Sequence, residues 1–165
     1  MLVLGIDPGI AITGYGLVRE QADGGIEMVA YGAITTPAGE ALPARLQQVY
    51  RGVRQIVEQY HPASAAVERL LFGRNVTTAL AVGQARGVAI LALADCNLLV
   101  AEYTPAVIKQ AVAGYGNASK TQVQDMVRLL LNLDHIPRPD DAADALAVAI
   151  THLHSVRYQQ LSEEG

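Results

Sequence analysis

Four carboxylates stand where an acid has least reason to be. Asp7 ends the apolar run LVLGID, and Glu68 interrupts the apolar stretch SAAVERLL. Asp141 and Asp144 are three residues apart in DDAADALAVAI, a spacing that puts both on one helix face, about 60° apart. Each also has an ordinary reading. Asp7 precedes Pro8-Gly9 and suits an Asx-type turn. Glu68 suits a solvated strand end. Asp140 and Asp141 suit a first helical turn, where acids meet the positive end of the macrodipole, and Asp140, directly after Pro139, reads as a cap. That reading covers Asp144 less well, because it is embedded in AADALAVAI where a core face should be.

What favours chemistry is coincidence. If the helix before the Glu68 strand is a crossover, the strands ending at Asp7 and Glu68 are parallel neighbours with both acids at one edge. Ligands in such sheets sit beyond the carboxyl ends of the strands. Two strand ends and one helix then supply an all-oxygen donor set, which selects magnesium or manganese over zinc or copper. Two such ions, about 3.5–4 Å apart, suit an in-line displacement at phosphorus.

Other candidates carry less. GIDPGIAITGYG has the glycine density of a phosphate cradle but lacks GxGxxG and the P-loop lysine, and its glycines also suit turn and strand packing. Lys109 lies in the helix after Pro105, and Lys120 sits beside the 114–116 glycine loop. Arg69, Arg74 and Arg86 flank or follow the Glu68 strand. Any one of these is ordinarily a surface charge. Leu71 and Phe72 form an apolar pair in the loop LLFGRN, suited to a core edge or to a wedge between bases. His152 shares the face of Asp141 and Asp144 two turns on and reads as structural, as Cys96 reads as core.

The elements that must position these groups follow from pattern. LVLGID, TGYGLVRE and EMVAYGAITT are strands separated by turn signals, and short turns imply antiparallel pairing. The period then changes: Leu42, Leu46, Val49, Val53, Ile56, Val57 and Tyr60 make one helical stripe, which His61-Pro62 ends. SAAVERLL and NLLVAEY are buried strands on either side of an Ala-rich helix over 75–96. Thr104-Pro105 starts the next helix, and Ser119 with Gln122 forms a capping box for another. The last helix covers about 140–157. These elements predict an α/β fold, a mixed five-stranded sheet with helices on both faces. Residues 1–157 are expected to form a single domain and 158–165 a polar, frayed tail.

Composition sets limits. The 165 residues are 51% hydrophobic and 17% charged, a core-forming balance and not a disordered one. A single cysteine excludes an internal disulfide and a thiolate zinc site and fits a reducing cytoplasm. MLVLGIDPGI lacks the basic start of a signal peptide, and Gln84, Arg86 and Asp95 interrupt the long apolar stretch, so no membrane span is expected. A net charge of −4 argues against coating DNA by bulk charge. It does not exclude nucleic acid, since two divalent cations among four carboxylates would neutralise it.

GIDPGIAITGYG, AVERLLFGRN, VGQARGVAI, VIKQAVAGYGNASKTQVQDMV and DDAADALAVAITHLH stand in the order expected of the RuvC family of bacterial Holliday-junction resolvases. The chain closely resembles that family over residues 2–154. The resemblance implies a ribonuclease H-like fold and a Mg²⁺-dependent homodimer that binds a four-way DNA junction and nicks two opposed strands. It also implies two ions per subunit, with Mn²⁺ able to substitute, a cytoplasmic bacterial protein, and a RuvA–RuvB branch-migration complex as partner. The family's catalytic and metal-binding acids fall on Asp7, Glu68, Asp141 and Asp144, which selects Asp141 over Asp140. Its DNA-binding lysines fall on Lys109 and Lys120, and Arg69 and Arg74 are added as DNA contacts beside them. A junction-stacking phenylalanine that family members often carry three residues after the glutamate is Leu71 here, with Phe72 next. The family's dimer helix matches the stretch from Gly83 to Gly87.

That helix supports the same expectation unaided. Leu80, Val82, Val88, Ile90, Leu91 and Leu93 surround much of its circumference, so it needs partners on more than one side. Gly83 and Gly87, four apart, mark a face where a second backbone can approach in a two-fold interface. The alternative is that the last three helices cover this face in a monomer. Two other function classes share part of this pattern. GID-x-G also resembles the phosphate-binding turn of actin-like ATPases and sugar kinases, which need two such domains. A non-catalytic ribonuclease H-like module would not require all four acids.

Overall fold

A computed structural model describes residues 1–69 and 76–163. The chain opens with β1 (Leu2–Asp7), β2 (Ile12–Glu20) and β3 (Ile26–Thr35), paired antiparallel in sequence. Helix α1 (Leu42–Tyr60) follows, ending where His61 adopts a left-handed φ of 49°. Next come β4 (Ser64–Glu68), α2 (Val76–Asp95) and β5 (Val100–Tyr103). Helices α3 (Pro105–Ala113), α4 (Lys120–Leu130) and α5 (Asp140–Glu163) complete the order. The sheet order is β3-β2-β1-β4-β5, with β4 parallel to both β1 and β5. This is the mixed five-stranded sheet the pattern predicts.

Strand alternation divides the core into two layers. Val3, Val18 and Ala66 point to one face, under α3, α4 and α5. Leu4, Ile6, Leu17, Ala65 and Val67 point to the other, under α1 and α2. Helix α5 is buried at nearly every position from Ala142 to Leu153, and Asp144 is the exception, half-buried. It lies directly on β1 and β2 because glycines leave it room. A Cβ on Gly5 would stand 2.1 Å from the Ala145 carbonyl oxygen, and one on Gly14 would stand 2.0 Å from that of Asp141. The glycine-dense amino-terminal segment thus serves close helix–sheet packing.

Both capping expectations hold. Thr104 Oγ1 accepts from the Val107 N–H at 3.3 Å, and Ser119 and Gln122 form the reciprocal box. Three boundaries differ. The strand expected over 97–103 starts at Val100, because Asn97 takes a left-handed φ of 59° after α2 and Leu99 is exposed. The strand expected over 64–71 ends at Glu68. Helix α5 continues to Glu163 instead of stopping near Arg157, its last turns exposed, with Arg157 bonded to the Gly24 carbonyl and paired with Glu20.

The monomer alternative for α2 does not match the layers, since α3, α4 and α5 cover the opposite face of the sheet. Ala85, Ala89, Ala92 and Leu93 of α2 are buried, while Val76 is 77%, Leu80 62% and Leu91 54% exposed. With apolar residues on both sides, α2 is long and apolar enough by length and composition to cross a membrane, despite its polar interruptions. Here one side packs on α1 and the sheet.

Candidate active site

Ile6 and Val67 are partners across the parallel β1–β4 pair, so Asp7 and Glu68 are the next residues at the same sheet edge. By alternation, Val3, Gly5 and Asp7 share the α5 face, as do Ser64, Ala66 and Glu68. Gly14 is the antiparallel partner of Asp7, and the Asp141 main chain rests against Gly14. Asp144 follows one helical turn later. Sheet register and helix docking therefore bring together all four acids that the sequence singles out.

Their electrostatics are those of crowded negative charge. Burial, then the charges of Glu68, Asp144 and Asp141, push the Asp7 carboxyl up to about 8, with Lys120 opposing. Burial and Asp144 raise Glu68, against Lys120, Lys109 and a hydrogen bond from Asp7. Burial raises Asp144 as well, opposed chiefly by its hydrogen bond to Lys120. The Asx-turn reading of Asp7 has another occupant. Buried Thr13 closes that turn, donating from Oγ1 to the Gly9 carbonyl at 2.7 Å.

Both predicted lysines face this cluster. A cleft of about 250 Å³ is lined by Glu68, Lys109, Lys120 and Asp144 over an apolar floor that includes Ile108, Val123 and Ala147. Lys120 Nζ is 3.0 Å from Asp144 Oδ2 and 3.7 Å from Asp140 Oδ2. Burial alone would lower the Lys120 pKa, but the hydrogen bond and charge of Asp144, with Asp140 and Asp141, raise it overall. Asp140 also pairs with Arg138, so it serves the rim of the cluster.

A second hollow, about 220 Å³, is also lined by Glu68, together with Asp7, Arg69, Val82 and Arg86. Arg69 is exposed and lies 3.8 Å from Glu102. Arg86 Nε donates to the Glu68 carbonyl oxygen at 3.2 Å, and its guanidinium pairs with Glu102. The surface-charge reading of Arg86 misses this contact. The available signal is that Arg86 is the only lysine or arginine in the apolar α2. Leu71, Phe72 and Arg74 lie outside the described residues. Gly87 is exposed, with nothing within 4 Å of an added Cβ, and Gly83 is half-buried. Buried His152 shares hydrogen bonds with Ser64 Oγ at 2.8 Å and Tyr103 Oη at 3.0 Å, which satisfies it as a structural group and depresses its pKa through burial. Cys96 packs half-buried at the edge of the α1–α2 core.

The donor chemistry fits a hard cation: all-oxygen ligands, partly buried, with carboxyl pKa values raised for want of positive charge. Among the described residues no three acids, histidines or cysteines stand together in an arrangement that could already hold a metal ion. The cluster is a neighbourhood of charge that Lys120 partly neutralises.

Comparison with known proteins gives the family. The family model described as crossover junction endodeoxyribonuclease RuvC matches residues 3–152. The crossover junction endodeoxyribonuclease RuvC of Chloroflexus aggregans is 59% identical over 156 residues, 94% of each chain. That of Chloroflexus aurantiacus is 59% identical over 155 residues, again 94% of each. The solved structure of Thermus thermophilus RuvC in complex with a Holliday-junction substrate superposes with a TM-score of 0.90 at 35% identity, covering 96% of both chains.

Proposed function

The chain belongs to the RuvC family of crossover junction endodeoxyribonucleases, divalent-metal-dependent nucleases of ribonuclease H-like fold, and from that premise we propose which of its residues do the work. It resolves four-way DNA junctions in recombination and repair. Asp7, Glu68, Asp141 and Asp144 are proposed as the metal-binding catalytic acids, holding two Mg²⁺ per subunit, with Mn²⁺ able to substitute. Bound there, the cations would supply a water nucleophile and stabilise the leaving 3′ oxygen, giving a 5′-phosphate and a 3′-hydroxyl.

The protein's own groups prepare this. Asp7 carries a proton near neutral pH and must release it to ligate. Glu68 lines both hollows, one with Asp7 and the other with Lys109, Lys120 and Asp144. Lys120 must exchange its carboxylate partner, and together with Lys109 it can take phosphate oxygens at the cleft. Arg69, Arg74, Leu71 and Phe72 are proposed as further junction contacts. The observation that carries the assignment is Asp144, an acid in an otherwise buried helical run, brought to the edge where Asp7 and Glu68 end adjacent parallel strands.

Nicking two opposed strands calls for two sites. We assign the exposed apolar stripe of α2, with Val76, Leu80, Gly83, Gly87 and Leu91 on one side, to a two-fold homodimer interface. The nuclease unit is taken as residues 1–157, acting in the bacterial cytoplasm with RuvA and RuvB as partners. The decisive experiment is Asp7→Asn assayed on labelled junction. Cleavage in Mg²⁺ is lost while junction binding is retained, because the change preserves shape and removes a ligand charge. Wild-type nicking by this variant would refute the metal assignment.

A further inference from the structure

We propose that Arg86 is a positioning residue that sets the direction of the Glu68 side chain by gripping its main chain from α2. This rests on Glu68 being one of the metal-binding acids. The grip has two prongs. Arg86 Nε donates to the Glu68 carbonyl oxygen at 3.2 Å, and the guanidinium pairs with the Glu102 carboxylate. Glu102 is the β5 partner of Val67, so one side chain ties the helix to β4, at the Glu68 carbonyl, and to β5, beside Val67. Arg69 Nε, 3.8 Å from the same Glu102, adds a second cation at the rim.

The place needs a tie. Glu68 pairs with Tyr103 at the last described position of the β4–β5 ladder, and the Arg69 N–H donates to the Tyr103 carbonyl at 2.7 Å. Strand ends are where pairing opens most easily. Rotation of the Glu68 peptide would swing its Cβ, and a ligand carboxylate tolerates only about 0.5 Å of error. Planar arginine can hold a carbonyl and a carboxylate at once; lysine, a point charge on a flexible stem, cannot reproduce that fork.

Arg86 is not placed to serve as a DNA contact. Its side chain is only 19% exposed, and its charge is already paired with Glu102. The cations that oppose the upward push on the Glu68 carboxyl are Lys120 and Lys109, while Arg86 holds the main chain. Groups that orient metal ligands without touching the metal are worth about 10- to 100-fold in metal affinity or activity.

The test uses the full chain. Mn²⁺ binding to the DNA-free protein is measured by calorimetry for wild type, Arg86→Lys, Arg86→Ala and Asp7→Asn. Junction affinity is measured in chelator, and cleavage rate is followed against Mn²⁺ concentration. Arg86→Lys and Arg86→Ala should weaken Mn²⁺ binding about 10- to 100-fold. Both should shift the metal dependence of cleavage to higher concentration, with recovery at high Mn²⁺, and leave junction affinity unchanged. Wild-type Mn²⁺ affinity in a cooperatively melting Arg86→Lys protein would overturn the proposal. So would weakened junction binding with a smaller salt slope at unchanged Mn²⁺ affinity, which would make Arg86 a phosphate contact. If Arg86→Ala does not fold, Arg86→Lys decides. Wild-type protein that binds no more Mn²⁺ than Asp7→Asn would instead refute the metal site itself, and the proposal with it.

Discussion

Asp7→Asn should stabilise the cation-free protein while silencing it. An unfolded aspartate ionises near 3.8, whereas Asp7 in the fold holds its proton up to about 8. Below the lower value both states are protonated and the group costs the fold nothing. As pH rises between the two values the unfolded chain releases a proton that the folded one retains, so stability falls by about 1.4 kcal/mol per pH unit. At pH 7 the accumulated penalty is at most about 4 kcal/mol, and it levels off once the folded side chain also ionises. Asparagine carries no charge at any of these pH values, and its amide can donate to Glu68 as protonated Asp7 does. For a chain of this length about 1 kcal/mol moves Tm by roughly 2–4 °C, so the variant should melt roughly 10 °C higher at pH 7 and level with wild type near pH 4. The assay is calorimetric melting in chelator from pH 4 to 8, repeated with Mg²⁺. Cation at about a hundredfold over its Kd should return roughly 2.7 kcal/mol to the wild type and little to the variant, narrowing the gap by more than half. Equal pH slopes in chelator, or equal Mg²⁺ shifts, would refute the view of Asp7 as a charge-strained ligand.

Three further outcomes are expected. Lys109→Ala and Lys120→Ala should each weaken junction binding and lower the log–log salt slope by roughly one, read from titrations at several ionic strengths; unchanged slopes would return them to ordinary surface charge. Gly87→Glu should shift the mass measured by light scattering from near twice 17.5 kDa toward 17.5 kDa, because the carboxylate would be buried unpaired against the partner. A wild-type protein that stays at the lower mass with junction bound would remove the dimer. Ca²⁺ should support binding without efficient cutting, since it accepts looser coordination than Mg²⁺, and equal nicking rates in the two ions would count against a tightly specified site.

Much of the fold was legible locally. The stripe from Leu42 to Tyr60, the left-handed stop at His61, the Thr104 cap and the Ser119–Gln122 box each depend on residues within a turn or two of one another, where spacing translates directly into geometry. Asp7, Glu68 and Asp144 announced themselves because charge inside an apolar run is locally anomalous. What lay beyond reach depends on contacts between distant segments. The glycines near the amino terminus have the density of a phosphate cradle without its motif, and what they pack against is set by α5, which rests its Ala145 and Asp141 carbonyls on Gly5 and Gly14. Whether the last helices covered α2 depended on which sheet face they took, and they took the other one. Arg86 read as a solvated charge because its partners, Glu68 and Glu102, are eighteen residues before it and sixteen after it. Periodicity reports which face of an element is apolar; only docking decides what that face meets, because a contact across the core is set by the joint packing of every element between its partners.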